Sequence, residues 1–98
     1  MRNWYTEDVK ELFTAIASLE NEDECRRFFE DACTVREIIE IAQRLKVAKM
    51  LSEKVSYNAI NRETGVSSAT ISRVSRCLDY GSGGYRLVIE RMEKEREP

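Results

Sequence analysis

Apolar residues return every third or fourth position through most of the chain. Val9, Leu12, Phe13, Ile16 and Leu19 fall at i, i+3, i+4, i+7 and i+10, one stripe of a helix predicted from about Tyr5 to Leu19. Cys25, Phe28, Phe29 and Ala32 repeat the spacing on a short second helix. Thr34-Val35-Arg36-Glu37 reads as a capping box, in which hydroxyl and carboxylate each satisfy an orphan amide. It predicts a third helix running to about Ser52.

That third helix has too many apolar residues for one face. At 100° per residue Val35, Ile38, Ile39, Ile41, Ala42, Leu45, Ala48 and Met50 cover an arc of roughly 200°, against about 100° for a surface helix of a monomer. Something packs on both sides, either the chain's own neighbouring helices or a second copy of the chain.

Ser56 is a good N-cap for a short helix from Tyr57 to about Thr64, and Gly65 stands where a helix commonly ends in the left-handed conformation. Ser67 or Ser68 can cap the next helix, which turns Ile71, Val74 and Leu78 inward and lasts to about Asp79. Gly81-Ser82-Gly83-Gly84 is a flexible break. A last helix from Tyr85 to about Lys94 carries Tyr85, Val88, Ile89 and Met92 on one side, with a charged tail at about 94–98. The pattern therefore predicts an all-α fold of six helices, and the 98 residues support a single domain. A core of that size is marginal for a monomer.

Composition narrows the function. The apolar fraction of 42% and charged fraction of 35% fit a helix-rich globular protein. No apolar run reaches the roughly 18 residues that span a bilayer, and no secretion signal opens the chain, so a cytoplasmic protein without membrane contact is expected. Cys25, Cys33 and Cys77 form no CxxC pair and there is no histidine, which leaves no metal site and predicts reduced, buried thiols. The missing histidine also removes the usual general base, and no carboxylates or lysines stand in a catalytic spacing, so no enzyme is expected.

The net charge of −2 hides an uneven distribution. Residues 1–43 hold 5 basic and 11 acidic side chains, whereas residues 44–80 hold 7 basic and 3 acidic ones. The basic segment contains the two short helices around Gly65. Two such helices joined by a tight glycine turn, at about 56–79, form a helix-turn-helix, whose second helix enters the DNA major groove by its N-terminal end. Small residues there let the backbone approach base edges, and the open amides favour a phosphate. Ser67, Ser68, Ala69, Thr70, Ser72 and Arg73 are the candidate DNA-facing residues, with Arg76 and Asn58 near the flanking backbone. The same features also fit plain caps and dipole partners in a helical protein-protein interaction module that never meets DNA. Asn61 departs from the pattern, because the position four before the turn glycine is often small.

The stretch NRETGVSSATISRVSRCL, residues 61–78, resembles the helix-turn-helix of the tryptophan repressor, in which a glycine turn is likewise followed by an Ala-Thr-Ile-x-Arg run. The similarity extends to the helix order over residues 9–92. Residues 12–38 look closer to the YerC/YecD-type branch of that superfamily. The resemblance implies an intertwined homodimer that binds double-stranded, pseudo-palindromic operator DNA as a transcriptional regulator, most simply a repressor. It also implies an effector pocket at Arg44, Thr70 and Arg73, Arg44 matching if the loop before Ser56 differs by one residue. Val74 and Cys77 stand where that family has a glycine and a serine. A branched side chain in the indole slot would cost about 1–3 kcal/mol by overpacking, which speaks against tryptophan and leaves another small effector, or none, open.

Overall fold

Side chains at the helix starts set most boundaries. The computed structural model describes residues 3–96, and these form six helices and no strand: α1 (Glu7–Ala17), α2 (Glu22–Ala32), α3 (Val35–Ser52), α4 (Tyr57–Thr64), α5 (Ser68–Tyr80) and α6 (Gly84–Arg96). Thr6 caps α1 by accepting from Val9 N at 3.2 Å, and Asn21 caps α2 by accepting from Glu24 N at 2.9 Å. The expected capping box is present at α3. Thr34 N donates to Glu37 Oε1 at 2.8 Å and Glu37 N to Thr34 Oγ1 at 3.1 Å.

Two helices differ from the apolar pattern at their ends, and α1 also starts at Glu7 instead of Tyr5. α1 closes at Ala17 because the Ser18 hydroxyl and amide both donate to Ala15 O, at 2.6 and 3.1 Å, which leaves Leu19 beyond the helix. α6 begins at Gly84 and runs to Arg96, since the charged residues that looked like a tail are good helix formers and pair across a turn, Lys94 with Glu90 at 3.9 Å. Of the expected tail, residues 97 and 98 lie outside the described residues.

The end of α3 carries a Schellman motif that the sequence does not announce. Lys54 N donates to Leu51 O and Val55 N to Met50 O, each at 3.0 Å, and Lys54 takes φ +66° where glycine is usual.

The chain divides into two units, residues 1–38 and 39–98. In the first, no residue of α1 or α2 is buried. Val9, Ile16, Leu19, Phe28 and Phe29 are half-buried, whereas Leu12 and Phe13 of the same α1 stripe are exposed. Trp4 and Tyr5 gather around Phe13 with ring centroids 6.5 and 5.8 Å from it. Cys25 is exposed and Cys33 half-buried, as Cys77 of the second unit is exposed, so the expectation of buried thiols fails. Cys25 and Cys77 lie on exposed faces of α2 and α5.

The second unit holds the core. Val47, Ala48, Met50, Ile60, Ile71, Val74, Leu78 and Ile89 are buried together, with Leu45, Leu51, Val55, Val66 and Tyr85 packed around them. Each fully buried Val or Ile contributes about 1.5–3 kcal/mol by leaving water. The α5 residues expected to face inward are therefore those that do. Val47, absent from the predicted apolar arc, is fully buried, while Val88, expected inward, is 44% exposed. Among the described residues no helix is long and apolar enough to cross a membrane.

Candidate nucleic-acid interface

Gly65 closes α4 at φ +74°, a conformation open to glycine without a Cβ penalty. Its amide donates to Asn61 O at 2.8 Å, and the Asn61 side-chain amide donates forward to Val66 O at 2.8 Å. Asn61, a departure in sequence terms, thus ties both sides of the turn. The Thr64 hydroxyl adds a link, donating to Ile60 O at 2.7 Å and accepting from Val66 N at 3.1 Å. The chain leaves this turn directly into Ser67, whose hydroxyl accepts from Thr70 N at 3.3 Å and donates to Thr70 Oγ1 at 3.2 Å. Of the two candidate caps, Ser67 is the N-cap and Ser68 the first helical residue.

With Ile71, Val74 and Leu78 buried, α5 turns its other face to solvent. Ser68, Ala69, Ser72, Arg73 and Arg76 are all exposed, and Ser68, Ser72 and Arg76 repeat at four-residue spacing on one side. Asn58 is exposed in the first turn of α4. Ser67 and Thr70 sit differently, since their hydroxyls are engaged with each other and Thr70 is half-buried. Lys46, Lys54, Arg62, Arg73 and Arg76 all lie exposed in the basic segment, with Arg44 and Lys49 half-buried. The exposed face of α5 itself offers hydroxyls at Ser68 and Ser72 and guanidinium groups at Arg73 and Arg76.

Arg44 and Thr70 line one pocket of about 330 Å³ together with Glu40, Gln43 and Val66. Arg73 is exposed and is not among its walls. Val74 points into the core at 1% exposure and does not occupy this pocket. Four of the five walls carry a carboxylate, an amide, a guanidinium or a hydroxyl, and Val66 alone has no polar side-chain group. Glu40 and Gln43 were missed in the sequence, although Glu40 stands four positions before Arg44 on the same helix face and Gln43 three after Glu40.

A second, mainly apolar hollow of about 590 Å³ is lined by Ile41, Leu45, Cys77, Gly81, Ser82, Gly84, Tyr85 and Val88.

The comparisons with known proteins agree with this architecture. Residues 7–93 match the family described as Trp repressor protein. The uncharacterized protein YerC of Bacillus subtilis (strain 168) is 49% identical over 87 residues, covering 89% of this chain and 84% of its own. A crystal structure of a TrpR-like protein from Eubacterium eligens ATCC 27750 superposes with a TM-score of 0.88 at 50% identity, covering 94% of this chain and 96% of that one. A candidate Trp repressor from Staphylococcus aureus superposes with a TM-score of 0.84 at 48% identity, over 90% and 88% of the two chains. By fold, helix order and sequence, the chain belongs to the Trp repressor protein family.

Proposed function

We propose that this protein is a sequence-specific DNA-binding transcriptional regulator that acts as a homodimer and represses by occupying operator DNA. The observation that carries the reading is α5 itself. Its apolar face is locked into the core, and its free N-terminal face presents Ser68, Ala69, Ser72, Arg73 and Arg76 beyond a tightly hydrogen-bonded glycine turn. Arginines on the later turns of such a helix reach the phosphates and position the protein, whereas the small residues of the first turns lie nearest the base edges and read sequence.

A dimer supplies what one chain lacks. Val35, Ile39 and Ile41 of α3 are 69%, 52% and 47% exposed, and neither α1 nor α2 buries a residue. Apolar faces of this extent mark an interaction surface. A second copy laid on α3 and the apolar hollow at Ile41, Tyr85 and Val88 would make the 98 residues one complete domain. Twofold symmetry then sets two α5 helices into successive major grooves, with half-sites about 34 Å apart.

The Arg44–Thr70 pocket suits a small polar effector better than an indole, which would bury its ring against charged and amide groups. Selection of bound duplexes from a random DNA pool tests the whole reading. An enriched pseudo-palindrome bound with a steep salt dependence is expected. Purified folded protein that enriches nothing at low salt would instead make the chain a protein-interaction module.

A further inference from the structure

The C-terminal end of α5 lacks a cation of its own, with no basic residue in its last turn, although its terminal carbonyls carry the negative end of the helix dipole. The next helix provides one. Arg86, in the first turn of α6, donates through Nε to the Leu78 carbonyl oxygen at 2.9 Å. Its Nη2 reaches Asp79 Oδ1 at 3.3 Å. One planar guanidinium thus grips a backbone acceptor and a carboxylate on consecutive residues of α5, a two-point grip that the single ammonium of lysine does not reproduce.

The link that Arg86 reinforces is short and glycine-rich. Gly81 turns the chain so tightly that a Cβ there would run into the Cys77 carbonyl oxygen, and Gly83 takes φ +85°. Leu78 and Ile89 share the buried cluster on either side of this link, but apolar contact by itself is non-directional. The guanidinium bonds are directional.

We propose that Arg86 is a positioning residue for DNA reading: by fastening the last turn of α5 to α6 it sets the angle at which Ser68 and Ser72 are presented. The inference rests on the DNA-binding reading of α5. It separates two kinds of contact. Base-edge hydrogen bonds need the helix in one pose, whereas phosphate contacts by long, flexible side chains survive a small change of angle.

The test compares full-length wild type with Arg86→Gln, Arg86→Lys and Asp79→Asn. Each is titrated with a duplex enriched from the random pool and with a scrambled duplex of equal length, at several salt concentrations, and amide hydrogen exchange is followed in α5. Arg86→Gln is expected to bind the enriched duplex about tenfold more weakly, as the base-reading pose of α5 falls to roughly a tenth of the free protein. Its affinity for the scrambled duplex and its salt slope should stay unchanged, and exchange should quicken around residues 77–81. Arg86→Lys should restore little of the selectivity, and Asp79→Asn should show a smaller loss of the same kind.

Equal weakening on both duplexes, with a salt slope lower by about 1 per half-site, would make Arg86 a phosphate contact and overturn the proposal. A lower melting temperature with the affinity ratio intact would overturn it too, leaving a purely stabilising role. If Arg86→Gln does not fold, Arg86→Lys and Asp79→Asn decide by the same ratio. Wild type that enriches no sequence would remove the DNA reading and the positioning role with it, and the exchange data would still show whether the clamp on α5 exists.

Discussion

The side-chain amide of Asn61 donates to the Val66 carbonyl oxygen at 2.8 Å, reaching across Gly65 from the last turn of α4 to the residue that leads into α5. The bond holds the two helices of the motif in one register, and Asn61 O accepts the Gly65 amide as well. Asn61→Ala is expected to cost about 0.5–1.5 kcal/mol, the net worth of one intramolecular hydrogen bond. Asn61→Asp should do no better, because a carboxylate has no proton to give. Urea denaturation reads both, and an Asp variant as stable as wild type would remove the bond from the account.

Lys54 occupies φ +66° at the end of α3, where a side chain costs roughly 1–2 kcal/mol. Lys54→Gly relieves that strain and gives part of it back through the freer unfolded chain. A net gain of about 0.5 kcal/mol is expected from denaturant midpoints. Gly65→Ala should run the other way by about 1 kcal/mol. A Cβ at Gly65 meets nothing within 4 Å, so the whole loss would be backbone strain.

Assembly follows from α3. A dimer that does not dissociate into folded monomers is expected, because one chain leaves Ile39 and Ile41 about half exposed and buries no residue of α1 or α2. Ile39→Asp should unfold the protein and not merely split it. Sedimentation together with circular dichroism checks this. A folded species of 11.4 kDa at micromolar concentration would contradict it.

On DNA, the exposed residues of α5 should divide by task. Arg76→Ala is expected to weaken binding about equally for all sequences and to lower the salt slope by about 1 per half-site. Ser68→Ala or Ser72→Ala should instead change sequence preference, by the 1–3 kcal/mol roughly typical of one mismatched base pair. Binding titrations on matched and mismatched duplexes distinguish the two. A silent Arg76→Ala beside a disabling Asn3→Ala or Lys10→Ala would move the DNA surface away from α5 and overturn this division.

The Glu37 carboxyl is held below the ordinary glutamate value, first by the Thr34 backbone amide and then by the Thr34 side chain. A depressed folded value means that the carboxylate stabilises α3 above the unfolded value of about 4.3, and that this contribution is lost as pH falls through the lower folded value. Wild type is therefore expected to exceed Glu37→Gln in stability at neutral pH and to converge with it in strong acid. Urea midpoints measured across that range check the sign, and a difference constant with pH would refute it.

What the sequence determined by itself was whatever depends on neighbours in the chain. Helix starts were legible at Thr34 and Ser56, and to within one residue at Ser67 or Ser68, because a capping hydroxyl bonds an amide three residues on. The inward face of α5 was legible because Ile71, Val74 and Leu78 repeat at helical spacing, and Gly65 because only glycine enters the left-handed region at so little cost. Relations across space were not legible. The Lys54 end of α3 hid behind a residue that does not normally take that conformation. Asn61 looked like an exception until the fold brought its amide to Val66, and Arg86 stood outside the motif until α6 folded back on Leu78. The pocket at Arg44 gained Glu40, Gln43 and Val66 and left out Arg73 and Val74, because which side of α5 faces α3 is decided by how the buried cluster packs. Side-chain spacing states a helix's own periodicity, and only tertiary packing fixes its rotation against a partner.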